Sequence, residues 1–238
     1  AELYNHLEKK QGTIFFNSDN PILNQLTEKL THKVSFGETD AVLTGEPVHS
    51  PPYVHVKANF PKGMLYLNTN LTGSYNVENI LAAACIGNHF GVDPLKIQKA
   101  LNEYHPSNNR SQLINKGDLK IIMDAYNANP TSMQASITSF LNGFANEKTI
   151  LILGDMLELG DYAFSEHSQL LHEIEKKSVD RVYLVGPVFS EAAKNFPFYS
   201  FRDVQSLCEY FQQNPLKSGV VLIKGSRGIQ LDKILDCL

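Results

Sequence analysis

The sequence predicts an α/β protein of two domains, and three observations carry that reading. After residue 110, strand-like and helix-like segments alternate regularly, the pattern of a mostly parallel sheet covered on both faces. Between residues 33 and 68, short β runs are separated by Gly and Pro signals, without helical segments between them. Joining the two parts is His105-Pro106-Ser107-Asn108-Asn109-Arg110, a polar, Pro-containing stretch of the kind that links domains. At 238 residues the chain has room for two domains of ordinary size. The expected division is 1–106 and 107–238.

Taken in order, Leu3, Leu7 and Lys10 fall at helical spacing with no N-cap before them, as if a helix were already in progress. Thr13 to Phe16 reads as a buried strand. Asp19 or Asn20 then caps a helix that has Pro21 at its first position and runs to about Leu30. Short strands are expected near 33–36, 41–43, 53–57 and 64–68, with Phe60-Pro61-Lys62-Gly63 as a hairpin turn, together a small antiparallel portion. Gly73 makes a close turn, Ser74 to Asn76 opens a buried helix through Gly87, and Asp93-Pro94 caps an amphipathic one through Leu101. In the second domain, strands are expected near 120–123, 149–153, 181–185, 198–201 and 219–224. Helices are expected near 131–144, 165–177, 189–195, 204–213 and 229–237.

Composition excludes several classes. Hydrophobic residues make up 42 % and charged residues 19 %, as in a folded globular chain. A net charge of −4 leaves no footprint for non-specific nucleic-acid binding. Cys85, Cys208 and Cys237 show no CxxC and no metal-type pairing, which fits a reducing cytosol with inert thiols filling the core. No apolar run approaches the length of about 20 residues needed to span a bilayer. The first residues are polar, unlike a signal peptide. The expectation is a cytoplasmic protein without membrane insertion.

Candidate chemistry lies where strands of the second domain end. Asp124-Ala125-Tyr126-Asn127 follows the first, Gly154-Asp155-Met156-Leu157-Glu158-Leu159-Gly160 the second, and Lys224-Gly225-Ser226-Arg227-Gly228 the last. Right-handed crossovers place all three on one edge, where α/β proteins bind ligands. A single Asp in such a turn is more often an ordinary strand-to-helix connection, so the case rests on the three together. Asn76 and Asn79, three apart at a helix start, share a face, and their amides carry the donors and acceptors that suit a base edge. Without context, an N-cap Asn and a packing Asn are the preferred explanation. Arg110 can fork onto a phosphate, and Asp124 can accept ribose hydroxyls. GxxxxGK[ST], GxGxxG, HExxH and GxSxG are absent, so this stretch carries no P-loop, dinucleotide fingerprint, zincin site or nucleophile elbow.

These stretches, in this order, resemble the Mur ligases along the whole chain: 73–79 (Gly-Ser-Tyr-Asn-Val-Glu-Asn), Arg110, 124–130 (Asp-Ala-Tyr-Asn-Ala-Asn-Pro), 154–160, and Lys224 to Arg227. The 126–130 and 154–160 stretches are those of the members that add D-alanyl-D-alanine. Tyr75 stands where the family usually has His, and Asn109 where it has Gly. The resemblance implies the C-terminal part of a central ATPase domain with a mixed sheet, lacking its P-loop half, followed by a Rossmann-like C-terminal domain. It implies ATP-driven amide-bond formation between UDP-N-acetylmuramoyl-tripeptide and D-alanyl-D-alanine in peptidoglycan synthesis. A carboxylate is phosphorylated there before the dipeptide amine attacks, with Mg2+ and cations managing the charge. The implied cofactors are ATP and Mg2+, with the main metal and P-loop ligands outside this chain, so the fragment is expected to be inactive alone and monomeric. Carried over by position, Asn76 and Asn79 contact adenine, Arg110 the phosphates and Asp124 the ribose. Tyr126, Asn127 and Asn129 line the cleft, Tyr126 and Asn127 beside the cofactor and Asn129 beside the substrate. Lys224, Ser226 and Arg227 are expected to receive the dipeptide's carboxylate for a separate reason, the cationic strand end they form facing the cleft. The alternatives are another Mur ligase or a folylpolyglutamate synthase fragment, or a non-catalytic nucleotide-binding module.

Overall fold

Asn20 shows how local sequence sets the elements of this chain. Its side-chain oxygen accepts from the backbone N–H groups of Ile22 and Leu23, and Pro21 takes the first helical position. Two donors that the helix cannot satisfy internally are thereby paired. The computed structural model describes residues 2–238 and falls into two units, one ending at Tyr104 and one running from His105 to Leu238.

In the first unit, α1 (Glu2–Lys9), β1 (Ile14–Asn17), α2 (Pro21–Thr27), β2 (Lys33–Gly37), β3 (Leu43–Val48), β4 (Tyr53–Phe60), β5 (Gly63–Thr72), α3 (Asn76–His89) and α4 (Pro94–Glu103) follow one another. The five strands form one sheet in sequence order. It is mixed rather than antiparallel throughout. β1 pairs parallel with β2, and β2 with β3, whereas β3–β4 and β4–β5 are antiparallel. The α2 crossover returns the chain to the same end of the sheet, so β1 and β2 must run together. The hairpin turn lies at 61–62 as expected, but β5 extends to Thr72. Leu43, Val56, Ala58 and Leu67 from the sheet pack with Ile80, Leu81, Ala84 and Cys85 of α3. Burial pushes the Cys85 thiol up to about 11, leaving it an inert core side chain at neutral pH.

The second unit holds β6 (Gln112–Lys116), β7 (Leu119–Asp124), α5 (Pro130–Gly143), β8 (Thr149–Gly154), α6 (Ala163–Glu175), β9 (Arg181–Val185), α7 (Pro187–Ala192), β10 (Tyr199–Phe201), α8 (Val204–Gln213) and β11 (Gly219–Lys224). The sheet order is β10-β9-β8-β11-β7-β6, parallel except for β6, which runs antiparallel to β7. β8 and β11 lie inside the sheet, and their apolar runs are buried along almost their full length, as strands covered on both faces must be. α5, α6 and α7 pack on one face around Ile137, Leu171 and Phe189. Leu207, Phe211 and the C-terminal residues Leu231 and Ile234 cover the other.

Two expectations change here. The segment after Arg227 is not an α-helix but two 3-10 turns, Arg227–Ile229 and Leu231–Cys237, separated by Gln230 in the left-handed region at φ 60°. Nor are all three cysteines inert thiols. Cys208 on α8 and Cys237 form a disulfide with their Cα atoms 5.4 Å apart. The two residues lie 29 apart in sequence, so no local spacing pattern announced the pair. Among the described residues no helix is long and apolar enough to cross a membrane.

Candidate functional site

The site of the second unit is built where β7, β11 and β8 end side by side. In the parallel β7–β11 pair, Lys224 lies opposite Asp124, which puts a cation and a carboxylate at the same level of the sheet. Lys224 Nζ donates to Asp124 Oδ2 at 2.6 Å and to the Asn127 carbonyl at 3.3 Å. The Ser136 hydroxyl adds a longer contact to Asp124 Oδ2 at 3.5 Å. The Lys224 side chain is only 3 % exposed and that of Asp124 12 %. Lys224, expected on a ligand carboxylate, is therefore spent on holding Asp124.

The exposed cations lie one layer further out. Asn108 and Asn109 both adopt φ 58°, a left-handed conformation that Asn tolerates better than most residues. The turn they make carries the Arg110 guanidinium to 3.7 Å from the centre of the Tyr126 ring. Arg227, in the 3-10 turn after β11, lies 5.7 Å from the same ring. Two guanidinium groups on one aromatic ring gain cation–π attraction of about 0.5–1 kcal/mol each at an exposed site, yet they repel each other. Such an arrangement has the charge and the donor geometry that suit an anion. A cavity of about 750 Å³ opens beside it, lined by Tyr126, Arg227, Gln230, Asp232 and Lys233 among others.

Three further expected site residues carry structural duties. Asn129 caps α5: its side chain accepts from Ser132 N–H at 2.8 Å, and the Ser132 hydroxyl accepts from Asn129 N–H at 3.1 Å. That reciprocal capping box engages the Asn129 oxygen in starting α5. The Asn127 side chain accepts from the next residue's N–H. The Ser226 hydroxyl, 5 % exposed, accepts from Leu157 N–H at 3.0 Å. In the first unit, the Asn76 amide donates to the Thr72 carbonyl, and Asn79 Nδ2 donates to Asn76 Oδ1 at 3.0 Å. Asn76 is buried and Asn79 exposed, so the pair forms one supported unit with Asn79 outermost.

The 154–160 stretch is held by two buried residues to which the motifs gave no individual role, Asp155 within it and His167 on α6. Asp155, fully buried, accepts from Val188 N–H at 2.9 Å and Phe189 N–H at 2.8 Å, capping α7 from a neighbouring strand. His167, also fully buried, has Nδ1 at 2.6 Å from the Ala163 carbonyl, while Nε2 accepts from Met156 N–H at 3.0 Å. Those two bonds fix the neutral tautomer with its proton on Nδ1. The 3.6 Å approach of Nε2 to Asp155 Oδ1 is then no ion pair, because the nitrogen facing the carboxylate bears no proton. Burial, the largest effect, lowers the His167 pKa against the opposing pull of the Ala163 bond and Asp155.

Stability should therefore decline on acidification through the ordinary histidine range. Below about pH 6.5 the unfolded imidazole binds a proton that the folded one still refuses, so ΔG of unfolding falls until the lower folded value is reached. Urea denaturation at pH 7.5 and 5.5 should show this loss, and His167→Gln should shrink it. An unchanged pH slope in that variant would assign the effect to other groups.

The second unit is a doubly wound α/β domain with a cationic, aromatic site at the carboxyl ends of its strands, the position at which this class of protein binds ligands. The family model described as Mur ligase, glutamate ligase domain matches residues 109–227, and the Mur ligase middle domain matches residues 1–87. The chain belongs to the Mur ligase family. It is 30 % identical over 247 residues to the UDP-N-acetylmuramoyl-tripeptide--D-alanyl-D-alanine ligase of Bacillus subtilis, a match covering 100 % of this chain and 53 % of that protein. A crystal structure of MurF from Acinetobacter baumannii superposes with a TM-score of 0.84 at 26 % identity, over 99 % of this chain and 53 % of the other. MurF ligase from Thermotoga maritima, solved in complex with ADP, shares the fold with a TM-score of 0.78 at 21 % identity, over 95 % and 52 % of the two chains. The chain thus spans about half the length of the relatives it matches.

Proposed function

We propose that this chain is part of an ATP-dependent ligase that joins D-alanyl-D-alanine to UDP-N-acetylmuramoyl-tripeptide in the cytoplasm, working as a monomer. The observation that supports this reading most directly is the pair of guanidinium groups on Tyr126 beside the 750 Å³ cavity, in a chain whose relatives bear that ligase name. ATP would supply the phosphoryl group that turns a carboxylate into an electrophile.

The parts assigned to this chain are binding and orientation. Asn79, held by Asn76, presents its amide to adenine. Arg110, fixed on Tyr126, takes phosphate oxygens in bidentate fashion. Asp124, charged and held by Lys224, receives ribose hydroxyls. The dipeptide carboxylate falls to Arg227, because Lys224 and Ser226 are engaged within the protein. Residues 1–106 are assigned to the nucleotide-binding portion and 107–238 to the ligase portion. Among the described residues no three His, Cys, Asp or Glu side chains converge to hold a metal. The Mg2+ ligands and the P-loop are accordingly proposed for the portion of the relatives' length that this chain does not span, and no step is placed on them here.

Calorimetry with ADP, on the chain alone and with that other portion supplied in trans, tests the reading. Binding that strengthens in trans, with phosphate release dependent on D-alanyl-D-alanine, is the expected result. ADP binding that never leads to turnover would favour a non-catalytic nucleotide module. In the reconstituted enzyme, Arg227→Ala should raise the dipeptide KM roughly tenfold or more, the usual worth of a charge-assisted hydrogen bond. An unchanged KM would remove Arg227 from that role.

A further inference from the structure

Between the sheet and the exposed site runs a chain of buried contacts that no ligand role accounts for. Its centre is Asp155. The carboxylate caps α7, its backbone N–H donates to the Val185 carbonyl at the end of β9, and its carbonyl accepts from Ser226 N–H at 3.1 Å beyond β11. One residue therefore ties together the ends of three adjacent strands, β8, β9 and β11. His167 locks the next peptide by accepting from Met156 N–H, and its ring packs edge-on against Phe189 at 4.4 Å. The peptide after that donates from Leu157 N–H to the Ser226 hydroxyl. Ser226 directly precedes Arg227, so both of its tethers fix the root of the exposed guanidinium. No slack remains at this root, since a Cβ on Gly225 would lie 2.8 Å from the Gly154 Cα.

We propose that Asp155 and His167 are positioning residues for Arg227. They hold the 154–157 turn rigid, and through Ser226 that turn sets where the guanidinium stands over Tyr126. Neither residue reaches solvent or ligand, as both are fully buried. Their effect passes through backbone bonds to the end of β11, where the exposed Arg227 stands. A rigid second layer of this kind keeps a binding group within the fraction of an ångström that recognition requires. The consequence for ligand binding rests on the assignment of Arg227 to a carboxylate; the positioning itself does not.

The chain has four arginines, Arg110, Arg181, Arg202 and Arg227, so their side-chain Nε–H signals can be resolved by NMR on the intact, 15N-labelled chain. The measurement is the heteronuclear NOE at Arg227 Nε in wild type, His167→Phe and His167→Gln. The phenylalanine fills the space without accepting from Met156 N–H, whereas the glutamine carries an oxygen that can replace Nε2 as acceptor. Arg227 should be ordered in wild type, become as mobile as exposed Arg202 in His167→Phe, and recover in His167→Gln, with Arg181 unchanged throughout. D-alanyl-D-alanine titrated into the same samples should bind about tenfold more weakly to His167→Phe and normally to His167→Gln. If His167→Phe fails to fold, Ser226→Ala, which removes only the acceptor for Leu157 N–H, should give the same loss of order. A wild-type NOE at Arg227 in the variant that folds, or an Arg227 already as mobile as Arg202 in wild type, overturns the proposal. Absence of dipeptide binding to wild type would overturn the carboxylate assignment alone, leaving the NOE to decide the positioning.

Discussion

Lys224→Met should cost this protein about 3–5 kcal/mol of stability, the penalty for taking the lysine cation from a buried carboxylate. Lys224 and Asp124 face each other across the β7–β11 pair, with side chains 3 % and 12 % exposed and 2.6 Å between Nζ and Oδ2. Methionine keeps most of the stem's volume, so the loss reports the charge rather than a cavity. The contact from Ser136, at 3.5 Å, is too long to match a charge-assisted bond. Adding Asp124→Leu should restore much of the stability, because removing both ions also removes the desolvation that their pairing had to offset. Urea denaturation of the two single variants and the double variant gives the coupling directly. A loss below about 1 kcal/mol in Lys224→Met would place the pair among weak surface bridges. If the nucleotide reading holds, the stable double variant should still bind ADP poorly, having lost the carboxylate assigned to ribose. Stability recovered without ADP binding would separate the two roles of Asp124.

The pair also shows what the sequence could and could not reveal. Alternating strands and helices after residue 110 fixed the parallel sheet, because buried strands must be apolar along their whole length. Three polar strand ends on one edge pointed to a candidate site, and Tyr126, Arg110 and Arg227 come together there. What pattern cannot supply is partnership across the sheet. Lys224 and Asp124 lie 100 residues apart, and only the insertion of β11 between β7 and β8 makes them neighbours. For that reason Lys224 looked like a free cation. Asn129 carries a second duty that its sequence also signals: Asn followed by Pro and two hydroxyl residues is a helix start, and here its Oδ1 caps α5. The parallel start of the first sheet was hidden because the β1–β2 crossover helix is only 7 residues long. Asp155 and His167 left one legible trace, an acidic residue directly after an apolar strand that ends in Gly. Nothing local indicated that its carboxylate would reach across to a different strand's helix.

Gly186→Ala should be among the most damaging single-methyl changes in the chain, with an expected loss of about 2–5 kcal/mol. Two costs add. Gly186 sits at φ 128° and ψ 159° at the start of α7, a region essentially closed to L side chains and worth about 1–3 kcal/mol of strain. The added Cβ would also lie within 2.6 Å of Asp155 Oδ1, pushing the carboxylate off the α7 N-terminus, where such a cap contributes about 0.5–2 kcal/mol. The clash cannot be relieved by rotating Asp155, because both of its oxygens are engaged, by Val188 and Phe189. Gly143→Ala is the matched control. It lies at the end of α5 with nothing within 4 Å of the added methyl, and a gain of up to about 1 kcal/mol is expected from helix propensity. Thermal denaturation of the two variants beside wild type checks the contrast. If Gly186→Ala were as mild as Gly143→Ala, the Asp155 cap would have to be slack, and a slack Asp155 could not set the position of Arg227 either. Stability at Gly186 and order at Arg227 thus draw on the same carboxylate, and a mild Gly186→Ala would count against both.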